Sequence, residues 1–166
     1  MADNTNPAAL FEECQKFTQP WLWALILVPF VGVLAVVLLV PKPPGPAGEL
    51  VLVGVPLILG LSVLTFATAC LTTTVTPVEL RVRYVPFFVN KRIPIAEIAR
   101  ISPLSYTIWQ TGYGIHYCRY GWVYNVSGNE GIQVELLSGK RFLVGTQRPR
   151  EFTAALQQAG VRPEGT

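Results

Sequence analysis

Two long runs without a charged residue constrain the fold of this chain more than any other feature. They are PWLWALILVPFVGVLAVVLLV at residues 20–40 and LVLVGVPLILGLSVLTFATACL at residues 50–71. A helix of about 20 residues, rising 1.5 Å per residue, crosses the roughly 30 Å hydrocarbon core of a bilayer. Pro29 and Pro56 would break a water-soluble helix, but membrane helices tolerate proline. The runs therefore predict two transmembrane helices.

Buried core helices and a cleaved signal peptide both fit these runs less well. Charged residues make up 14% of the chain, against about 25% in soluble domains, and the rest of the chain is too small to bury both runs. A cleaved signal peptide has an apolar region of only about 7–15 residues and a basic leader. Here Glu12 and Glu13 precede the first run, with Lys16 as the only basic residue of the leader. We expect a retained span.

The segment PKPPGPAGE (41–49) connects the runs and should not continue a helix, because it holds four prolines and two glycines. The spans therefore form an antiparallel hairpin. Lys42 is the only basic residue of the connection, whereas five basic residues lie close to the other ends of the spans: Lys16, Arg81, Arg83, Lys91 and Arg92. The positive-inside rule predicts that both termini are cytoplasmic, in a bacterial inner membrane crossed twice.

The remainder of the chain predicts a mainly-β domain at residues 72–166, with residues 1–19 as a cytoplasmic leader. VELRVRY (78–84) and GIQVELL (131–137) alternate between apolar and polar residues, as half-buried antiparallel strands do. About seven such strands follow one another at short spacing. PREFTAALQQAG (149–160) instead has the period of an amphipathic helix, at about 149–159. We expect an antiparallel roll or barrel capped by this C-terminal helix.

The stretch GYGIHYCRYGWVYNVSGNEGIQVELLSGKRFLVGTQRPREFTAAL (112–156) resembles the bacterial pleckstrin-homology-like (PH-like) membrane proteins. The similarity lies in the glycine–aromatic segment, the G-x-x-V-x-L-x-x-G-K strand pair ending in V-G-T, and the P-x-E-F opening of the helix. The resemblance implies a seven-strand roll with a terminal helix, attached to the cytoplasmic face of the membrane. It implies no reaction. His116 stands where the family pattern has arginine.

Basic residues provide the candidate binding surface. Residues 72–166 hold eleven basic and six acidic residues, a net charge of +5. Eukaryotic PH domains often bind phosphoinositides through the first hairpin, and Asn90-Lys91-Arg92 resembles its tip here, supported by Arg81 and Arg83. These basic residues form either a solvated face or a surface for anionic headgroups, which attract cytoplasmic basic segments. Nucleic acid is disfavoured, because acidic residues interrupt the charges.

Catalysis is not expected from the residues present. The chain has one histidine, His116, and its only aspartate, Asp3, lies in the leader, so a Ser-His-Asp triad lacks a member in the β domain. In a regular strand His116 and Cys118 would be about 7 Å apart, too far for a hydrogen bond. The three cysteines have no metal-ligand spacing and, in the cytosol, no disulfide is expected. Neither a metal nor a cofactor is expected.

These observations lead to one main hypothesis and two alternatives. The main hypothesis is an integral membrane protein whose β domain is a non-enzymatic protein-interaction or scaffolding unit, with a protein partner or a homo-oligomer. The first alternative is binding of anionic lipid headgroups by Arg81, Arg83, Lys91 and Arg92. The distant alternative is an enzyme that uses His116 or Cys118. His116 is also the candidate for a pH-sensitive interaction, since histidine titrates near neutrality.

Overall fold

The computed structural model describes residues 9–41, 45–107, 111–112 and 114–162. These residues form two compact units. One is an apolar helical hairpin at residues 17–69. The other is a β domain, to which the chain on both sides of the hairpin contributes.

The hairpin consists of helix α1, Pro20–Leu39, and helix α2, Pro46–Thr68. Both are long and apolar enough to cross a membrane, which confirms the two predicted apolar helices. Most of their apolar side chains lack protein cover, and Leu39 and Leu50 are 81% and 72% exposed. Pro29 and Pro56 lie inside the helices without ending them.

Helix α2 begins earlier than the sequence indicated. Residues 41–49 were expected to be a non-helical connection, but the helix starts at Pro46. Proline suits the first helical turn because its missing N–H would have no partner there. Glu49 lies in the same turn, where the helix dipole favours a negative charge.

The two ends of the hairpin lie side by side. The ring of Phe17, just before α1, contacts the ring of Phe66 near the end of α2, with centroids 5.8 Å apart. The indole N–H of Trp23 donates a 2.9 Å hydrogen bond to the carbonyl oxygen of Phe17. These contacts fix where the chain enters and leaves the hairpin.

The described residues of the β domain contain two sheets and a terminal helix. The first sheet has the order β1-β2-β3-β4 and is antiparallel throughout. Its strands are β1 Phe11–Lys16, β2 Cys70–Val75, β3 Glu79–Val85 and β4 Val89–Pro94. The second sheet has the order β5-β8-β9-β7-β6, with a parallel pairing only between β7 and β9. Its strands are β5 Ile98–Ser105, β6 Gly114–Cys118, β7 Gly121–Asn125, β8 Glu130–Leu136 and β9 Arg141–Gly145.

The terminal helix α3, Pro149–Gln158, packs on the sheets through the apolar face that its sequence period predicts. Phe152, Ala155 and Leu156 are buried, and Phe152 stacks on Phe11 of β1 with ring centroids 5.1 Å apart. The structure therefore confirms a mainly-β domain with a final helix. It has nine described strands in two sheets, where the sequence predicted about seven in one roll.

Strand β1 differs most from the sequence prediction, because it belongs to the predicted leader yet pairs along its length with β2. Its inward side chains include two polar ones, Glu13 and Gln15, which are 7% and 1% exposed. The Glu13 carboxylate accepts hydrogen bonds from the Thr146 hydroxyl at 2.5 Å and the Gln147 backbone N–H at 2.8 Å. The Gln15 amide donates to the Gly145 carbonyl at 2.6 Å. The β domain thus starts before the hairpin, not at residue 72.

The expectation of no disulfide is also wrong for this structure. Cys14 of β1 and Cys70 of β2 form a disulfide, with Cα atoms 5.9 Å apart. Their separation of 56 residues along the chain hides this proximity, which arises only when β1 pairs with β2. Cys118 is a free cysteine.

The buried Glu13 carboxylate should contribute strongly to the attachment of β1. We expect Glu13→Ala to lower the free energy of unfolding by about 2 kcal/mol, because hydrogen bonds to charged groups contribute about 1.5–3 kcal/mol and the Thr146 hydroxyl would stay buried without its partner. Thermal unfolding of the full chain in detergent, followed by the circular dichroism of the sheets, would measure the loss. Glu12→Ala is the matched control, because the neighbouring Glu12 side chain is exposed. Equal losses in the two variants would contradict this role for Glu13.

Candidate anion-binding site

A cavity of about 640 Å³ in the β domain gathers positive charge from parts of the chain that are distant in sequence. We call it the basic groove. Strand β4, the β6–β7 hairpin, the β8–β9 turn and strand β9 form its wall. Its lining residues are Lys91, Tyr117, Arg119, Gly121, Trp122, Tyr124, Ser138, Gly139, Lys140, Arg141 and Phe142. Four of them are cationic, and no carboxylate occurs among the described lining residues.

Lys91 reaches the basic groove because it faces inward from β4. It is half-buried, while its neighbours Asn90 and Arg92 are exposed. Its ammonium group lies 5.2 Å from the centre of the Phe142 ring, a cation–π distance that holds the charge over the buried aromatic floor. Phe142 packs in turn beside Tyr124, with ring centroids 6.4 Å apart.

Arg119 is positioned by its neighbour in the β6–β7 turn. Its guanidinium carbon lies 4.6 Å from the centre of the Tyr120 ring, and one of its nitrogens donates a hydrogen bond to the Tyr120 hydroxyl. A guanidinium held over a ring keeps other N–H groups for an oxyanion, and its planar fork suits carboxylates and phosphates.

Gly121 allows the β6–β7 turn to approach β9. Its φ is +91°, and a Cβ added there would lie 2.0 Å from the carbonyl oxygen of Arg141. No side chain fits that space, so this contact between two backbones requires glycine. The close approach brings Arg119 and Arg141 to the same cavity.

Arg141 lies opposite Glu135 in the β8–β9 register, which could have neutralised it. The Glu135 carboxylate instead accepts hydrogen bonds from Arg100, at 2.9 Å from Nε and 2.8 Å from Nη2. Neither Arg100 nor Glu135 is among the residues that line the groove.

Aromatic side chains provide the other part of the groove wall. Tyr117 and Trp122 are direct cross-strand partners whose rings meet edge-to-face at 5.8 Å. They are 71% and 46% exposed. Burial raises the pKa of Tyr124, so its phenol stays protonated at neutral pH. The groove therefore offers hydrogen-bond donors and ring faces beside its cations.

The structure separates the four basic residues that the sequence grouped together. Arg81 and Arg92 are direct cross-strand partners, and Arg83 pairs with Asn90 one step along the same face of the first sheet. Arg81 forms a half-exposed ion pair with Glu79 at 2.6 Å. Lys91 lies on the opposite face.

The hairpin tip also differs from the prediction. Asn90-Lys91-Arg92 was expected to be the tip, but all three residues lie in β4, and the turn consists of residues 86–88. The cross-strand pair Tyr84 and Val89 closes the hairpin just before the turn.

His116 and Cys118 lie on β6, on the face away from the basic groove. His116 pairs with the fully buried Val123, and Cys118 packs against the cluster of Tyr106, Val123 and Leu143. The His116 ring lies over Gly112, where an added Cβ would be 3.5 Å from Cε1. The structure does not bring His116 to the groove, and its pH sensitivity stays a prediction.

Sequence reasoning did not identify Arg119, Lys140 and Arg141 as site residues. Each lies close to a glycine with positive φ in a tight turn, Gly121 for the first and Gly139 for the other two. Basic residues beside two separate turns are a weak signal in the sequence. The two turns come together through the parallel pairing of β7 with β9, which the sequence pattern does not reveal.

Comparison of the chain with protein-family models and with curated proteins gave no match.

Proposed function

We propose that this chain is an integral membrane protein whose β domain is a non-enzymatic binding module, and that the basic groove binds an anionic group. The observation that carries the proposal is the convergence of Lys91, Arg119, Lys140 and Arg141 on one cavity without a carboxylate in its described lining. Like charges held close together repel, so a bound anion relieves the repulsion as well as gaining attraction.

The chemistry of the groove favours a phosphoryl group as the anion. Arginine offers paired N–H donors to phosphate oxygens, and lysine adds a point charge. The ligand could be the headgroup of an anionic lipid or a soluble phosphorylated molecule, since both present the same group. Attachment to a membrane raises the effective concentration of headgroups near the domain, which favours the lipid.

Two adjacent residues of β4 provide a matched test of the groove. Lys91→Gln removes a charge from the groove, whereas Arg92→Gln removes one from the opposite face. We expect Lys91→Gln to weaken binding of inositol hexakisphosphate by roughly 3- to 10-fold, about 1 kcal/mol, and Arg92→Gln to change it little. Trp122 lines the groove, so its fluorescence in the full chain in phosphatidylcholine nanodiscs would report the titration.

The same titration distinguishes the two sources of phosphate. If the groove binds lipid headgroups, nanodiscs that contain phosphatidylglycerol should compete with the soluble polyphosphate. If it binds a soluble ligand, the two kinds of nanodisc should give the same affinity. Equal weakening by Lys91→Gln and Arg92→Gln would show that only general charge attraction acts, and the groove proposal would then be wrong.

Protein–protein assembly is the second candidate function. Strand β6 is one of the four described edge strands, with β1, β4 and β5, and such an edge can pair with a strand of another chain. Tyr117 of this strand is exposed, and aromatic residues are enriched at protein interfaces.

The assembly proposal predicts that the purified protein is an oligomer of two or more chains. We expect sedimentation in detergent to give a mass above 18.3 kDa for the protein component. Tyr117→Asp should reduce that mass to one chain if β6 forms the contact, whereas Val78→Asp, at another exposed apolar position, should not. A single-chain mass for the unmodified protein would contradict a homo-oligomer.

The topology we propose has both termini in the bacterial cytoplasm, with the β domain on the cytoplasmic side of the inner membrane. The distribution of Lys and Arg around the apolar helices supports it. The Cys14–Cys70 disulfide favours the opposite side, because disulfides persist in oxidising compartments.

The oxidation state of Cys14 and Cys70 in cells can decide on which side of the membrane the β domain lies. A cytoplasmic β domain predicts that they react with a large maleimide in lysates prepared without reductant, because the cytosol keeps thiols reduced. A gel-shift assay on the Cys118→Ser variant would count these two cysteines alone. A disulfide present in all molecules directly after lysis into excess maleimide would contradict the cytoplasmic placement.

We retain the PH-like fold as part of the proposal. A mainly-β domain with a single terminal helix, attached to two apolar helices, supports it. An enzyme that uses His116 or Cys118 remains the distant alternative, although both side chains lie outside the basic groove.

A further inference from the structure

The turn between β3 and β4 exposes two neighbouring phenylalanine side chains. Phe88 is 96% exposed and Phe87 is 47% exposed, and Val85 beside them is 39% exposed. Phe87 stacks on Tyr84 with ring centroids 4.8 Å apart, which fixes one side of the turn. Phe88 has a φ of +56°, a conformation that bulky residues rarely adopt.

The position of this turn follows from the strand register. Lys16, the last residue of β1, pairs with Cys70, the first residue of β2, and Cys70 pairs with Val85, the last residue of β3. These three strand ends are therefore aligned at one end of the first sheet. Adjacent strands are about 4.8 Å apart, so the turn begins within roughly 10 Å of Lys16.

The chain leaves the β domain for the apolar hairpin at that same end. Helix α1 begins at Pro20, four residues after Lys16, and α2 ends at Thr68, two residues before Cys70. Two Cα steps span at most about 7.6 Å, so covalent connectivity keeps this end of the sheet close to where α2 ends.

Charge at this end of the sheet suits the surface of a bilayer. Lys16 and Arg83 both lie within two residues of the aligned strand ends, and both are exposed. Aromatic side chains flanked by basic ones are typical of segments that lie at the interface of an anionic membrane.

We propose that the β3–β4 turn inserts Phe88 into the interface of the same membrane that holds the two apolar helices, and thereby adds a third point of attachment. The inference rests on the proposed insertion of the hairpin. The partner is the lipid surface itself, because the register places the exposed ring beside both chain connections to the membrane helices.

Quenching by brominated lipids tests the insertion in the full chain. Phe88→Trp keeps a large aromatic residue at position 88, so the backbone there has to adopt the same positive φ with a side chain of similar kind. Val78→Trp is the matched control, because Val78 is 72% exposed and lies in the β2–β3 connection, at the opposite end of the same sheet. Each variant is reconstituted in phosphatidylcholine–phosphatidylglycerol vesicles with or without lipid brominated in the upper acyl chain.

We expect the brominated lipid to remove about half or more of the emission that the Phe88→Trp substitution adds to the parent spectrum, because interfacial aromatic rings lie at headgroup level. The emission that the Val78→Trp substitution adds should stay nearly unchanged. Equal quenching at both positions, or none at position 88, would overturn the proposal.

The parent protein separates this result from the proposed membrane insertion. Trp21 and Trp23 lie at the start of α1, so quenching of the parent emission reports whether the hairpin is in the bilayer. Parent quenching without added quenching at position 88 would remove the third attachment alone. No parent quenching would refute hairpin insertion, and the inserted turn with it.

A second measurement does not depend on tryptophan. A nitroxide attached at position 88 of a Phe88→Cys variant, in which Cys14, Cys70 and Cys118 are all replaced by serine, should collide with oxygen more often than with a water-soluble nickel chelate, which bilayers exclude. The reverse ratio would place position 88 in water and would contradict the insertion.

Discussion

The pairing of β1 with β2 is the interaction on which the rest of the structure depends. It joins the chain before the apolar hairpin to the chain after it, and so closes a loop of residues 17–69. For a flexible chain, closing such a loop would cost roughly 3–4 kcal/mol of entropy. The hairpin reduces this cost, because the Phe17–Phe66 contact already brings its two ends together. Formation of the hairpin therefore brings the chain segments that form β1 and β2 close to each other.

Once β1 is in place, its inward side chains connect the two sheets. Phe11 stacks on Phe152 of α3, and Glu13 and Gln15 bind the backbone and side chains at the end of β9. Strand β9 also carries Phe142, the floor of the basic groove, and Arg141 in its wall. A segment placed before the two apolar helices therefore supports the strand on which the candidate site is built.

Periodicity predicted the parts of this fold in which apolar residues mark the buried face. The two charge-free runs form most of α1 and α2, although Cys70 and Leu71 at the end of the second run belong to β2. The helical stripe of residues 149–159 corresponds to α3, and the alternating 131–137 segment corresponds to β8. Strand β1 was missed because FEECQK buries Glu13 and Gln15, so polarity does not reveal which face points inward. The groove was missed because it depends on contacts between strands that are distant in sequence, above all the backbone approach at Gly121. Of the predicted basic residues, only Lys91 lies in it.

The position of the β3–β4 turn determines which residues lie at the hairpin tip and which lie within β4. With a tip at residues 90–92, the basic side chains would form the end of the hairpin and the phenylalanines would lie within a strand. With the turn at residues 86–88, the phenylalanines are at the end, and Lys91 and Arg92 are in β4, where successive side chains point to opposite faces. An apolar tip gains free energy from lipid, whereas cations at the same position would have to keep their water. Because Lys91 lies on the inner face of β4, its charge can bind an anion in the groove without competing with the tip for the membrane surface. One shift of four residues in a turn therefore separates the proposed lipid contact from the proposed anion site.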